Sequence, residues 1–415
     1  MRVGFDISVL RIAQAGVLTY TRELLDAMTV ARADVDWTLI DLLPLNPDRP
    51  LRLLAALAAP GVRVVRCAGL NRPYLSARPG WRRGVPHAVA AQVDRALDPL
   101  WAQASVAAVG FQLRAALAGV QVFHSSDQFC YAPPGAAAVV TIHDLTAQIN
   151  PAWHISANNA LADAKLHFAR TRADLVIADS QSTARDAMRL LNLPGERLRV
   201  VPLAADRRFR LQTPEALRPQ LARFGLRPDE YLLSVGTLEP RKNYVRLIEA
   251  YARLRGQMPA APPLVIIGRR GWHYDEILAA PARWGVAGRV RFVDDARDVD
   301  LPALYAGAAA FVYPSLYEGF GLPVLEALAC GAPTACANTS SLPEVLGDAG
   351  VLFAAEDPLA IAAALEQLLS DLSLRARLRQ AGPQRAAQFS WQRTAQETLA
   401  VYEEAIALRR APRGV

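Results

Sequence analysis

Lysine is nearly missing from this chain. Of its 46 basic residues two are lysines, Lys165 and Lys242, and 44 are arginines. Arginine's planar fork and lysine's compact ammonium are not interchangeable, so against such a bias each lysine is worth examining. Cysteine is scarce as well. Cys67, Cys130, Cys330 and Cys336 form no CxxC pair, and the last two lie six apart with no histidine at zinc-finger spacing. That argues against a disulfide scaffold or a structural zinc site and points to a reducing compartment. No run of about 18 uncharged apolar residues occurs. The nearest, 106–123, carries Gln112 and Arg114 and reads as a helix followed by a strand. The opening MRVGFDISVL lacks the apolar core and small-residue cleavage site of a signal peptide and reads as a buried strand. These absences predict a cytoplasmic protein that at most touches a membrane surface.

What is present is apolar and regular. The 415 residues are 52% hydrophobic and 20% charged, a balance of sizeable cores, and the length suits two or three domains at roughly 150 residues each. Short apolar runs at 2–6, 36–40, 63–65, 122–124, 139–143, 175–178 and 198–201 alternate with helical patterns such as 20–28, 157–172 and 182–191. A second series follows at 231–235, 264–267, 290–293, 309–313, 332–335 and 351–353, with helical patterns at 244–254, 301–307, 323–330, 358–371 and 372–380. The runs are continuous rather than alternating, as in parallel strands buried on both faces. The expected fold is α/β with two doubly wound Rossmann-like domains facing a central cleft. The first spans 1–205 and the second 206–390, with a final helix over about 391–415 packing back on the first domain. Ligands of such sheets bind at the carboxyl ends of the strands, which makes the cleft the expected site.

The net charge of +7 is unevenly spread: residues 1–205 hold 21 cations against 16 anions, and the remainder 25 against 23. Arg63, Arg66, Arg72, Arg78, Arg82 and Arg83 fall in one stretch without an acid, interleaved with Tyr74 and Trp81. Basic residues with aromatics among them fit an anionic membrane surface. No recognised nucleic-acid-binding module appears, so nucleic acid is not an expected partner.

Four segments could carry chemistry. YPSLYEGFGLPVLEALACG (313–331) ends a strand, turns through Gly319 and Gly321, and opens a helix near Pro323. Glycines ahead of a helix N-terminus expose N–H groups to a phosphate, and Glu318 and Glu326 bracket the place. SVGTLEPRKN (234–243) puts Arg241 and Lys242 beyond a strand end, after Gly236 and Thr237, where cations meet phosphate oxygens. VVTIHDL (139–145) brings His143 and Asp144 to a third strand end. A Ser-His-Asp hydrolase is excluded there because no GxSxG elbow exists. Gly16 precedes the helical pattern at Tyr20 and could let backbone approach a phosphate.

Taken together these strings resemble the retaining nucleotide-sugar glycosyltransferases of family 4, which have the GT-B fold, with the mannosyltransferases of bacterial surface polysaccharide assembly as the nearest subgroup. LPALYAGA (301–308), SLPEVLGDA (341–349), IHDL (142–145), Asp179-Ser180 and VPL (201–203) complete the resemblance. It implies a hexosyl group, mannose from GDP-mannose or another sugar from a UDP-sugar, passed to a lipid-linked or polysaccharide acceptor without metal or cofactor. At matching positions Glu326 would take the ribose hydroxyls and Glu318 those of the donor sugar. Backbone from Phe320 through Gly321 and Leu322 to Val324, beside Gly319, would hold the diphosphate and sugar. Arg241 and Lys242, next to Gly236 and Thr237, would neutralise the leaving diphosphate. His143 would lie beside the donor sugar, and Gly16 near phosphate or acceptor. Two departures stand out: many relatives carry arginine where this chain has Thr237, and glycine where it has Leu18. A UDP-sugar-dependent enzyme of the same fold (a sugar-phosphate synthase or an epimerase) and a catalytically silent scaffold are the alternatives.

Overall fold

The computed structural model describes residues 1–11, 15–42, 59–67, 107–125 and 130–411. Two sheets organise them. The first contains β1 (Arg2–Asp6), β2 (Asp36–Leu42), β3 (Val62–Cys67), β4 (Val122–Ser125), β5 (Ala137–Ile142), β6 (Leu175–Ala178) and β7 (Leu198–Val200), in the order β3-β2-β1-β4-β5-β6-β7. The second contains β8 (Leu232–Val235), β9 (Leu264–Ile267), β10 (Val290–Val293), β11 (Ala310–Tyr313), β12 (Thr334–Ala337) and β13 (Gly350–Phe353), in the order β10-β9-β8-β11-β12-β13. Its pairings are all parallel. Both are α/β sheets of the Rossmann kind, as the alternating pattern predicted. Every residue of β5, β8, β9 and β11 is buried, which is why these strands read as unbroken apolar runs.

The helices used below are α1 (Ala15–Ala31), α2 (Ser156–Thr171), α3 (Gln181–Leu191), α4 (Tyr244–Gln257), α5 (Leu322–Ala329) and α6 (Trp391–Arg410). Some boundaries differ from the sequence reading. The strand expected at 332–335 runs over Thr334–Ala337. Gly331, at φ +71°, first turns the chain out of α5, and Pro333 follows. The strand expected to reach His143 stops at Ile142, because Asp144 Oδ1 accepts from Thr146 N and Oγ1 and bends the chain. Gly16 is not ahead of the first helix but inside its first turn.

The chain divides into two compact units: Met1–Val140 with Arg172–Leu175 and Ala400–Val415, and Thr141–Thr171 with Val176–Leu399. In the first, the Tyr402 hydroxyl of α6 lies 2.6 Å from His124 Nδ1 on β4, both side chains buried. In the second, the order of the strands reverses direction between β8 and β11. Chains leaving two adjacent strand ends there diverge, which opens the crevice where ligands of doubly wound sheets bind. The loops carrying Arg241-Lys242 and Glu318-Gly319 emerge from these two strands. The loop after β8 is pressed against the one after β9, since a Cβ at Gly268 would sit 1.9 Å from the Gly236 carbonyl oxygen.

Candidate functional site

The centre of the site is one carboxylate oxygen. Glu318 Oε1 lies 2.6 Å from Lys242 Nζ, 2.9 Å from Arg241 Nη1, 2.6 Å from Ser315 Oγ and 2.9 Å from the Tyr313 hydroxyl. Lys242 also donates to the Tyr313 oxygen at 2.7 Å, and Arg241 Nη2 pairs with Glu239 Oε1 at 2.7 Å. Asn243, at φ +60°, makes the turn into α4. Its amide donates to the carbonyls of Pro314 and Ala355 and ties the two loops together. Burial alone would raise the Glu318 carboxyl. Arg241 and then Lys242 outweigh it and hold the group at about 2. Burial and the neighbouring Arg241 lower Lys242, against Glu318 and Glu239. Burial beside Glu318 keeps Tyr313 protonated, so its hydroxyl remains a donor. The four charges Arg241, Lys242, Glu239 and Glu318 cancel. Among the described residues Glu318 Oε2 receives no hydrogen bond, so it alone is left to accept from a ligand.

Glu326 behaves differently. It sits on α5, past the first turn rather than within it, because the helix begins at Leu322. Its Oε2 accepts from the Tyr305 hydroxyl at 3.0 Å. Burial pushes its carboxyl up to about 8, with Tyr305 and Arg208 opposing and Asp298 and Asp206 reinforcing. The Phe209 ring packs edge-on against Tyr305 at 5.8 Å and under the Arg208 guanidinium at 5.0 Å. The neighbourhood of Glu326 therefore includes the 206–209 segment.

His143 stands beside the Glu318 loop. Its Nδ1 lies 2.7 Å from Asp179 Oδ2, which orients the ring. A Cβ at Gly319 would fall 1.6 Å from the His143 carbonyl oxygen, so only glycine lets the two backbones pass. Gly321, at φ +105°, turns the chain into α5, where a Cβ would meet Leu342 at 2.7 Å. The structure thus brings His143, Gly236, Thr237, Arg241, Lys242 and the 318–326 segment into one unit.

The chain's sequence matches the family described as "Glycosyl transferases group 1" over residues 221–385 and "Glycosyltransferase Family 4" over 50–209. It is 38% identical over 266 residues to the O-antigen chain mannosyltransferase B of Escherichia coli, covering 64% of this chain and 70% of that protein. The chain belongs to the family 4 glycosyltransferases. A serotype-specific mannosyltransferase of the same organism, WbdA, is 34% identical over 54% of this glycosyltransferase, which spans only 28% of that longer protein. Among solved structures, Anabaena HepE in complex with UDP and glucose aligns with a TM-score of 0.70 at 18% identity, covering 97% of this chain and 99% of that one. WaaG, a glycosyltransferase involved in lipopolysaccharide biosynthesis, aligns at 0.66 and 15%, covering 99% and 100%. At such identities these two establish the shared fold. The protein is a glycosyltransferase of GT-B architecture.

Gly16 belongs to the other unit of this glycosyltransferase, exposed in α1 with open space where a Cβ would be. Of the basic stretch 63–83, residues 68–83, and with them Arg72, Arg78, Arg82 and Arg83, lie outside the described residues. Among the described residues no helix is long and apolar enough to cross a membrane, and no group of three or more His, Cys, Asp or Glu could hold a metal ion. Sequence reasoning missed Tyr305, Tyr313, Ser315 and Glu239. Two of these are tyrosines that read as core in apolar runs, and only their hydroxyls, aimed at carboxylates, set them apart.

Proposed function

We propose that this glycosyltransferase moves a hexosyl group, mannose from GDP-mannose, to a lipid-linked or polysaccharide acceptor with retention at the anomeric carbon, in the assembly of a cell-surface glycan such as an O-antigen chain. It works in the cytoplasm, peripherally at the membrane, and without a resident metal or cofactor. The observation that carries the reading is the saturated Oε1 and open Oε2 of Glu318. A carboxylate held at about 2 stays ionised, and its remaining oxygen suits a sugar hydroxyl. The similarity to the O-antigen chain mannosyltransferase B supports mannose over glucose.

Departure of a nucleoside diphosphate needs charge stabilisation at its phosphates. Arg241 and Lys242 supply part of it. Both already share Glu318, so backbone N–H groups of the loop before α5, with that helix's dipole, take a large part. Glu326 accepts from the ribose hydroxyls, and His143, oriented by Asp179, borders the sugar. Turnover of radiolabelled GDP-mannose and UDP-glucose tests this, together with calorimetric titration of GDP, UDP and ADP. Lys242→Ala and Glu326→Ala lose turnover; full activity in both sinks the site, and a preference for UDP removes GDP-mannose.

A further inference from the structure

The loop that carries Glu318 is held from outside by hydroxyl groups. The Gly319 carbonyl accepts from Ser180 Oγ at 2.6 Å and from Thr183 Oγ1 at 3.0 Å, both buried at the start of α3. Ahead of the helix Leu342–Leu346, Ser341 Oγ lies 2.9 Å from the Glu318 carbonyl and 2.7 Å from the Phe320 carbonyl, and Glu318 N donates to Ser340 Oγ at 2.8 Å. Tyr317, two residues before Gly319, donates to Asp186 Oδ2 on α3 at 2.7 Å. In a trans peptide the N–H points opposite to the C=O. Fixing the Gly319 carbonyl toward α3 therefore fixes the direction of the Phe320 N–H, away from α3.

We propose that Ser180 and Thr183 are positioning residues that aim the Phe320 N–H at the distal, sugar-bearing phosphate of the donor, while Asp179 in the same turn orients His143. The inference rests on the donor-binding reading above and deepens it. The cancelled charges of the Glu318 cluster leave amides as the groups best able to meet added phosphate charge. An amide serves only if its direction is set before the ligand arrives. Gly319 has no side chain to resist rotation of its peptide, because none fits against His143. The restraint comes instead from two hydroxyls on one carbonyl.

Calorimetric titration of the full chain with GDP and GMP, and with UDP and UMP, reads this directly as the preference for diphosphate over monophosphate. Thr183→Val keeps the shape and removes the donor. It lowers that preference roughly three- to tenfold, as the loss of one hydrogen bond does, and leaves monophosphate affinity and melting temperature near wild type. Thr183→Ser restores the preference. Ser180→Ala with Thr183→Val lowers it further. A merely structural role moves both nucleotides together. An unchanged preference in Thr183→Val, or Thr183→Ser behaving like Thr183→Val, overturns the proposal even if the double variant fails to fold. If the wild-type chain binds none of the four nucleotides, or Lys242→Ala and Glu326→Ala both retain full turnover, the donor-binding reading fails and this one with it. Normal wild-type binding with an unaffected Thr183→Val sinks the positioning role alone.

Discussion

Glu318 and Glu326 are eight residues apart in one loop and helix, yet their surroundings drive them in opposite directions, to about 2 and about 8. Two cations beside a buried carboxylate favour its charge; a buried carboxylate with a single tyrosine donor sheds it. For Glu326 the folded value lies above the unfolded one. Its contribution to stability is thus full below the ordinary carboxylate range and is lost as pH rises through about 8. An ionised carboxylate is the stronger acceptor for ribose hydroxyls, so nucleotide affinity should strengthen from pH 7 to 9. Glu326→Gln should flatten that rise; titrations across the range that are already flat in wild type would contradict it. Glu318→Gln is a sharper probe. Its carbonyl oxygen can keep the place of Oε1, but its amide then offers a donor where Oε2 accepts. Donor KM should rise at least about tenfold, equivalent to one or two lost hydrogen bonds, with the melting temperature the control.

These residues were unequally legible. Lys242 stood out by rarity and Glu318 by its glycine neighbours. Thr183 lies within the helical pattern at 182–191 and Ser341 within the string 341–349, neither marked by its hydroxyl, and Ser180 caps α3 by accepting from Thr183 N. Nothing local announces that the Ser180 and Thr183 hydroxyls also serve a loop more than a hundred residues away.

At the scale of elements, the N-terminus of α3 has a second task. Its first two amides, Gln181 N and Ser182 N, donate to the Glu344 carboxylate at 2.9 and 2.7 Å, with Arg185 at 3.4 Å. A carboxylate at a helix N-terminus is favoured by the dipole and by the unpaired N–H groups. Glu344→Ala should cost about 0.5–2 kcal/mol locally, the range of a lost cap, read as faster hydrogen exchange at Gln181 and Ser182. Exchange unchanged there would show that the cap contributes nothing. The strands were legible because burial on both faces writes them as apolar runs. Two departures from the sequence reading involve proline: the unread helix Asp275–Arg283 carries Pro281, and the helix expected to stop near Gln380 continues to Ala386 through Pro383. In both cases packing of the apolar face overrides a residue that locally argues for a break.

For the whole molecule the basic stretch looks smaller in the structure than in the sequence. Arg63 is occupied on β3, donating to Thr38 Oγ1 and the Ala116 carbonyl, and Arg66 sits 3.7 Å from the buried Asp41. Arg63 thus bonds within the sheet, while the Arg66 side chain stays largely exposed beside Asp41. Charge reversal at Arg78, Arg82 and Arg83 should weaken co-sedimentation with anionic liposomes, an effect that salt diminishes. Equal binding by the reversed variant would remove the membrane from the list of partners. In the second unit, strand order alone locates the crevice.

The passage of Gly319 under the His143 carbonyl has an evolutionary side. Every amino acid other than glycine carries a Cβ, so every change of meaning in that codon, however it arises, places an atom where 1.6 Å remains. Position 319 is closed to drift, and neighbouring substitutions can reopen it only by moving a whole backbone. A saturation library at this codon, selected for sugar transfer, should return glycine and nothing else.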